Sequence, residues 1–232
     1  MQPYHCELEH IRTRLLYIVS GATMVLFLAT IPSLLTAREH RSLSSIPVRD
    51  VAVKGRTVDV ISQLAMKYHV VTGIYGIDIN GNHEPTIEVS IKNGTLGTAY
   101  DAIAKADPRI EWHQSSDTVH FTTRNFPITL MDLTIKSFDA ESDQRYQILA
   151  HLEDAPEVHA WLLENKCPPA NRRAVASMGG NDSPPIYISV HARNLPYSSI
   201  MDQIAAQSRV YFWSVERSIP SPCPTYSTWA IE

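Results

Sequence analysis

Histidines are the residues of this chain best suited to bind a metal ion or transfer a proton, and the ten of them are scattered. A protein metal site needs several ligands at compatible spacing. His5 and His10 flank Cys6 near the N-terminus, and His113 and His120 share one predicted hairpin. Surface positions and positions along strands explain the histidines better than a metal site does. We therefore expect no metal and no other cofactor.

The segment from Asp78 to Glu84 places oxygen-bearing side chains at alternate positions, as calcium-binding loops do. The glycine of such a loop belongs at its sixth position, where this chain has His83. The twelfth position is Val89 instead of glutamate. A turn between two strands is the better interpretation.

Motifs for nucleophilic catalysis are missing from the sequence, which has no Gly-x-Ser-x-Gly, no glycine-rich phosphate loop and no Cys-x-x-Cys. Ser177 lies in a proline-bounded stretch without an identifiable base. Four carboxylates flank a predicted helix or hairpin and are expected to serve solubility and capping: Asp101, Asp107, Glu111 and Asp117. We expect no enzyme, with a membrane-tethered hydrolase as a remote alternative.

Aromatic residues could line a peptide-binding groove, although packing of a helix on a sheet is their commoner use. They are Trp112, Trp161, Tyr211, Phe212, Trp213 and Trp229. The charge balance, Lys+Arg 20 against Asp+Glu 24, gives a net charge of -4. This balance argues against a nucleic-acid partner, because such proteins generally carry basic surfaces.

The N-terminal region contains an uncharged apolar run, Leu15 to Leu35, which is long enough for a membrane-spanning helix of about 20 residues. We predict a cytoplasmic tail at residues 1–14, a transmembrane helix or uncleaved signal anchor at 15–36, and a polar tether at 37–46. The alternative is secretion to the periplasm after cleavage near Ala37. Arginines lie on both sides of the run, so charge alone leaves the orientation open.

Beyond the tether, one pattern occurs twice, from Thr86 to Thr123 and from Ile186 to Ser218. Each copy contains a strand, an amphipathic helix and a second strand carrying a tryptophan. An ungapped alignment places Ile87 on Ile186, and the helices then differ by about two residues. Asn93-Gly94 is predicted to form a tight turn in the first copy.

The first predicted domain, residues 47–125, contains two helices and several strands. One helix is expected to be capped by Thr57, and the next to begin after Thr95 and to stop at Asp107 because Pro108 follows. A hairpin around Ser116 closes the domain. The pattern predicts an α+β fold, with two helices on one face of a small sheet.

The second predicted domain, residues 126–232, repeats this organisation in degenerate form. Pro156 interrupts its helical stretch, so two helices should meet near Asp154. Residues 166–185 are predicted to form a loop rich in proline, glycine and asparagine. The C-terminal segment could add a strand beside Tyr211 to Val215. We therefore expect two related modules after the membrane helix.

The chain has three cysteines, one before the apolar run and two after it. In an exported segment, Cys167 and Cys223 could form a disulfide that closes a long loop. In a reducing compartment they would be two free thiols. The residues leave both readings open.

Four features of Thr57 to Thr123 carry a resemblance: the helix TVDVISQLAMKYHV, the strand TIEVSIKNGTL, the helix around AYDAIA and the ending IEWHQSSDTVHFTT. The segment resembles the secretin and TonB short N-terminal domain, a periplasmic module. The resemblance implies a protein-interaction module of the cell envelope, anchored in the inner membrane with its C-terminal domain in the periplasm.

The partner could then add a strand along an edge marked by Thr86, Glu88 and Ser90. The partner would be an envelope protein whose identity the sequence does not give. The alternative is a structural or assembly subunit of an envelope complex that self-associates, in which case the chain would form a homo-oligomer.

Overall fold

The computed structural model describes residues 42–76, 85–124, 130–167, 186–217 and 224–227. Within these ranges no helix is long and apolar enough to span a membrane. The predicted tail and anchor, the calcium-like segment from Asp78 to Glu84, Ser177 and Cys223 all lie outside the described residues.

The predicted α+β class is confirmed, since helices alternate with strands arranged in small sheets. A short 3₁₀ turn, Leu43–Ser45, precedes them. The strands are β1 (Pro47–Arg56), β2 (Thr72–Tyr75), β3 (Thr86–Thr95), β4 (Ile110–Ser115), β5 (Thr118–Thr123), β6 (Thr134–Gln144), β7 (Tyr187–Pro196), β8 (Phe212–Arg217) and β9 (Pro224–Ser227). The helices are α1 (Thr57–Tyr68), α2 (Leu96–Ala106), α3 (Arg145–Glu153), α4 (Pro156–Glu164) and α5 (Tyr197–Gln207).

In the first half, β1 and β3 form an antiparallel two-stranded sheet. The predicted turn at Asn93-Gly94 is wrong, because both residues continue β3 and pair with Arg49 and Val48. The chain leaves the strand only at Thr95, and α2 begins directly after it, as predicted; the Thr95 side chain caps the helix. The predicted Thr57 cap is also wrong, because its hydroxyl donates 2.7 Å to the Asp107 carboxylate instead.

In the second half, β6 and β7 form the corresponding antiparallel pair, with a register shift between Ala140 and Asp143. The predicted helix break is confirmed: α3 ends at Glu153, and Pro156 occupies the first turn of α4. Proline suits that position because the first helical N–H groups have no intrahelical acceptor. Its ring therefore starts α4 and prevents continuation of α3.

Strands from both halves share a five-stranded sheet in the order β4-β5-β2-β8-β9. The short strand β2 is parallel to β5 on one side and to β8 on the other. The C-terminal strand β9 pairs with β8, as expected for that segment, with Tyr226 opposite Val215. The domain boundary near residue 125 stays a prediction, and this sheet crosses it.

Each face of this sheet contributes to a different hydrophobic core, because successive side chains of a strand point to opposite faces. Ile74, Phe121 and Phe212 join the core around α1 and α2, beneath the β1/β3 sheet. Tyr75, Trp213 and Val215 join the core around α5, beneath the β6/β7 sheet. The five-stranded sheet is therefore a shared layer between the two helical layers.

The two copies of the repeated pattern match element by element, but in a different register from the sequence alignment. Thr86 and Tyr187 start the paired strands, and Leu96 and Tyr197 start the helices. The Leu96 N–H donates to the Ile46 carbonyl at 2.9 Å, and the Tyr197 N–H donates to the Leu133 carbonyl at 2.9 Å. Ile87 therefore corresponds to Ile188, and the predicted match to Ile186 is wrong by two residues.

Candidate functional site

A row of four residues crosses the five-stranded sheet on the face towards α5. His113 on β4 lies opposite His120 on β5, which lies opposite Gly73 on β2, which lies opposite Trp213 on β8. His120 and Trp213 are buried, whereas His113 is exposed. The structure thus brings together the two histidines singled out in the sequence, with their ring centroids 5.3 Å apart.

Asp202 on α5 is hydrogen-bonded to two residues of this row. Its carboxylate accepts hydrogen bonds from His120 Nε2 at 3.0 Å and from Trp213 Nε1 at 2.8 Å. Asp202 is 8% exposed. A buried carboxylate is costly unless donors satisfy it, and here the imidazole and the indole do so. Because His120 belongs to the first half of the chain and Asp202 to the second, the contact joins the halves.

Gly73 leaves room on β2 for the Trp213 ring. A Cβ atom at position 73 would lie 2.2 Å from Trp213 Cζ2, far inside van der Waals contact. The indole therefore occupies the space that a side chain at position 73 would take. Only glycine leaves this space, so the residue is required by packing and not by a turn.

Tyr75 closes the cluster on one side, stacked on Trp213 with ring centroids 6.1 Å apart. Burial, together with Asp132 and Asp202, raises the pKa of Tyr75 to about 12. The phenol therefore stays protonated at neutral pH and is not poised as a base or nucleophile.

His113 is the solvent-facing end of the row. Partial burial and the neighbouring His120 lower its pKa, although nearby acidic side chains act in the opposite direction. Among the described residues, no group of three or more His, Cys, Asp or Glu side chains could hold a metal ion. His120 is hydrogen-bonded to Asp202 within the packing, whereas His113 contacts the His120 ring edge-on at the exposed end of the row.

A small recess beside the cluster is lined by Trp213, Met201 and the half-buried Arg145, among others. Its volume is about 10 Å³, which is room for roughly one water molecule. The recess is too small to take up a substrate. The cluster has the chemistry of a structural contact between two halves of one molecule.

Asp202 was not among the residues predicted from the sequence, although the sequence contains a signal for it. In the first copy, Trp112 Nε1 donates to Asp101 Oδ1 at 3.1 Å, across the same separation of 11 residues as Trp213 and Asp202. A helix aspartate paired with a strand tryptophan is thus common to both copies. Asp101 is exposed and Trp112 half-buried, whereas their counterparts are buried.

The remaining predicted carboxylates have local roles or lie at the surface. Asp107 is 1% exposed, and its pKa is lowered: burial alone would raise it, but hydrogen bonds from Arg109 and Thr57 outweigh that effect. Glu111 is exposed on β4, and Asp117 belongs to the hairpin turn. None of these side chains converges on a common pocket in the described part of the chain.

The predicted partner-binding residues Thr86, Glu88 and Ser90 are exposed on β3. No described strand pairs with the outer edge of β3. The pairing of β1 with β3 is interrupted at Asp50, which has a positive φ of 48°, so the alternation of hydrogen bonds that starts at Leu96 does not continue unchanged to this part of β3.

Cys167 is disulfide-bonded and 5% exposed. Both other cysteines, Cys6 and Cys223, lie outside the described residues, so the pairing with Cys223 stays a prediction.

Comparison with known protein families finds no family model that matches this chain, and comparison with curated proteins finds no match.

Proposed function

We propose that this chain is a membrane-anchored protein of the cell envelope that binds another protein by adding a strand to one of its sheets. It acts without catalysis and without a cofactor. The apolar run at residues 15–36 holds it in the inner membrane, and the C-terminal modules face the periplasm. The resemblance of Thr57 to Thr123 to the secretin and TonB short N-terminal domain supports this location and role.

The observation that carries the proposal is the two-stranded sheet of β1 and β3. Its strands run through ten residues each, and no described strand pairs with the outer edge of β3. A long strand edge has unpaired N–H and C=O groups that attract another extended chain. Proteins that avoid such contacts shorten, bulge or cover their edges, whereas proteins that use them bind peptides by β-augmentation.

The test uses the full chain, purified in detergent, as bait for envelope proteins in solubilised membranes. The variant Thr86→Lys/Ser90→Lys places two cations along the β3 edge at exposed positions, which discourages strand addition without disturbing the core. We expect this variant to lose the captured protein. The matched control, Thr134→Lys/Ser137→Lys, changes exposed positions of β6 and should retain it.

Self-association is the second function this geometry allows, because the partner strand could come from another copy of the chain. Light scattering of the detergent-purified chain separates the two cases. A monomer that captures a distinct protein supports partner binding, whereas an oligomer broken by the β3 variant supports an assembly subunit. Capture that is unchanged in the β3 variant would contradict strand addition at this edge.

A further inference from the structure

We propose that Arg145 and the recess beside it bind a carboxylate side chain of a partner protein. The Arg145 guanidinium makes no hydrogen bond or ion pair in the described part of the chain. The equivalent place in the first half of the molecule is filled by a carboxylate, that of Asp107. The inference does not rest on strand addition at β3, because a different surface carries it.

The two halves match residue for residue around this recess. Asp107 directly follows α2 and Ser208 directly follows α5, and each N–H donates to the carbonyl four residues earlier. Thr57 is the first residue of α1, directly after β1, and Arg145 is the first residue of α3, directly after β6. Asp107 therefore corresponds to Ser208, and Thr57 corresponds to Arg145.

In the first half, the carboxylate is buried and fully hydrogen-bonded. Asp107 is 1% exposed and accepts hydrogen bonds from Thr57 Oγ1 at 2.7 Å and from Arg109 Nη2 at 2.8 Å. A hydroxyl on one side and a guanidinium on the other thus compensate the burial of its charge.

The second half has a cation at this place but no carboxylate. Ser208 stands where the first half has Asp107. Val210 stands where the first half has Arg109, and it lines the same recess as Arg145. The Ser208 hydroxyl donates to carbonyl groups of α5. Arg145 is therefore left without the anion that its position in the fold provides in the other half.

The environment of Arg145 favours the arrival of an anion. The side chain is half-buried, and this burial lowers the pKa of its guanidinium because desolvation disfavours the charged form. An arginine in a protein nevertheless remains protonated. A partly desolvated cation without a partner is unfavourable, so a carboxylate that reached it would form a charge-assisted hydrogen bond.

The recess limits what can enter. Apart from Arg145 its lining is apolar and includes Met201, Val210 and Phe212. Its volume of about 10 Å³ has room for roughly one water molecule, which is about the size of one carboxylate oxygen. One oxygen of the ligand would therefore enter the recess, and the chain that carries it would stay outside.

The surface next to Arg145 favours a polypeptide over a small free acid. Ile186 and Tyr187 are exposed large apolar residues at the start of β7. Tyr187 pairs with Gln144, the residue before Arg145. A protein segment that brings the carboxylate can cover these side chains, whereas a small acid cannot.

The test uses the full chain in detergent, with the side-chain Nε–H resonance of Arg145 followed by nuclear magnetic resonance. The probe is the peptide acetyl-Ala-Leu-Asp-Leu-Ala-amide, and its matched control has asparagine in place of aspartate. We expect the aspartate peptide to shift the resonance saturably and the asparagine peptide to bind at least about tenfold more weakly, because hydrogen bonds to charged groups are stronger. The exposed Arg49 is the internal control and should show no saturable shift.

Two variants test the site from within the chain. Ser208→Asp supplies the missing carboxylate, which should pair with Arg145 and abolish the shift caused by the aspartate peptide. The neutral counterpart Ser208→Asn should retain that shift. Arg145→Gln should leave the free energy of unfolding unchanged or raise it, because the guanidinium has no partner to lose among the described residues.

Each result supports or overturns the inference. Equal binding of the aspartate and asparagine peptides would overturn the site, as would unchanged binding in Ser208→Asp or a clear loss of stability in Arg145→Gln. Acetate that binds as tightly as the aspartate peptide would overturn the assignment to a protein partner. All of these results are independent of the capture experiment with the β3 variant, which tests strand addition.

Discussion

Replacing Gly73 with alanine should be among the most damaging single changes in this protein. The new Cβ would lie 2.2, 2.5 and 2.7 Å from three atoms of the Trp213 ring, where ordinary contacts begin near 3.4 Å. Overpacking of this kind costs typically 1 to 3 kcal/mol, and more when the neighbour has no room to move. Trp213 is 1% exposed, hydrogen-bonded to Asp202 and stacked on Tyr75. We therefore expect a loss of roughly 3 kcal/mol or more.

The assay is chemical unfolding of the full chain in detergent, followed by near-ultraviolet circular dichroism. Gly55→Ala in β1 is the matched control, since its nearest contact would be an ordinary 3.6 Å to Asp59 Cβ. It should change the free energy of unfolding by less than about 0.5 kcal/mol.

A double-mutant cycle identifies the cause of the Gly73 effect. Trp213→Leu removes the ring that the alanine would strike, so Gly73→Ala should cost much less in that background than in the wild type. If the alanine costs as much with leucine at 213 as with tryptophan, the indole is not the obstacle. A Gly73→Ala protein within about 0.5 kcal/mol of wild type would refute the packing argument directly.

Three further predictions concern other contacts. Asp202→Ala leaves the buried donors of His120 and Trp213 without an acceptor and should lower the free energy of unfolding by roughly 2 to 4 kcal/mol. Asp101→Ala, at the exposed counterpart, should lower it by less than about 1 kcal/mol. Equal losses for the two variants in chemical unfolding would contradict this prediction. The pKa of Tyr75 is raised from 10.0 to about 12, so its contribution to stability is complete below pH 10 and is lost as the pH rises towards 12. Tyr75→Phe removes the ionisable phenol and should therefore reduce alkaline unfolding between pH 10 and pH 12. A Tyr75→Phe protein with the same stability-versus-pH curve as the wild type would contradict this prediction. If Cys167 pairs with Cys223, reduction opens a loop of roughly 57 residues and should lower the free energy of unfolding by about 4 kcal/mol. The loss would appear as a lower unfolding midpoint in dithiothreitol. Peptide mapping that pairs Cys167 with Cys6 would contradict the predicted pairing.

Local signals in the sequence predicted most of the elements correctly. Pro156 ended one helix and began the next, Thr95 capped α2, and the residues around Ser116 turned the β4–β5 hairpin. Each of these depends on the conformational preferences of a few neighbouring residues. Asn93-Gly94 failed as a turn because pairing with β1 overrides the local preference of that dipeptide.

The match between the two copies was recognisable from sequence, but its register was not. The ungapped alignment matched Leu96 with Leu195, although Leu195 belongs to β7 and the buried first residue of α5 is Tyr197. A leucine and a tyrosine fill equivalent buried positions because packing demands volume and apolar surface, not identity. The equal spacing of 11 residues from Asp101 to Trp112 and from Asp202 to Trp213 indicates the register that the structure shows.

The sequence by itself determined the α+β class, the order of helices and strands, and the alternating strands that bury one face. Only the tertiary structure decided that β2 lies between β5 and β8, and that His120 reaches Asp202 across Gly73. Strand neighbours are joined by backbone hydrogen bonds, which are the same for nearly every residue type, so the sequence hardly encodes which strands meet. That choice is made by the two cores, which must both be buried against the faces of one sheet.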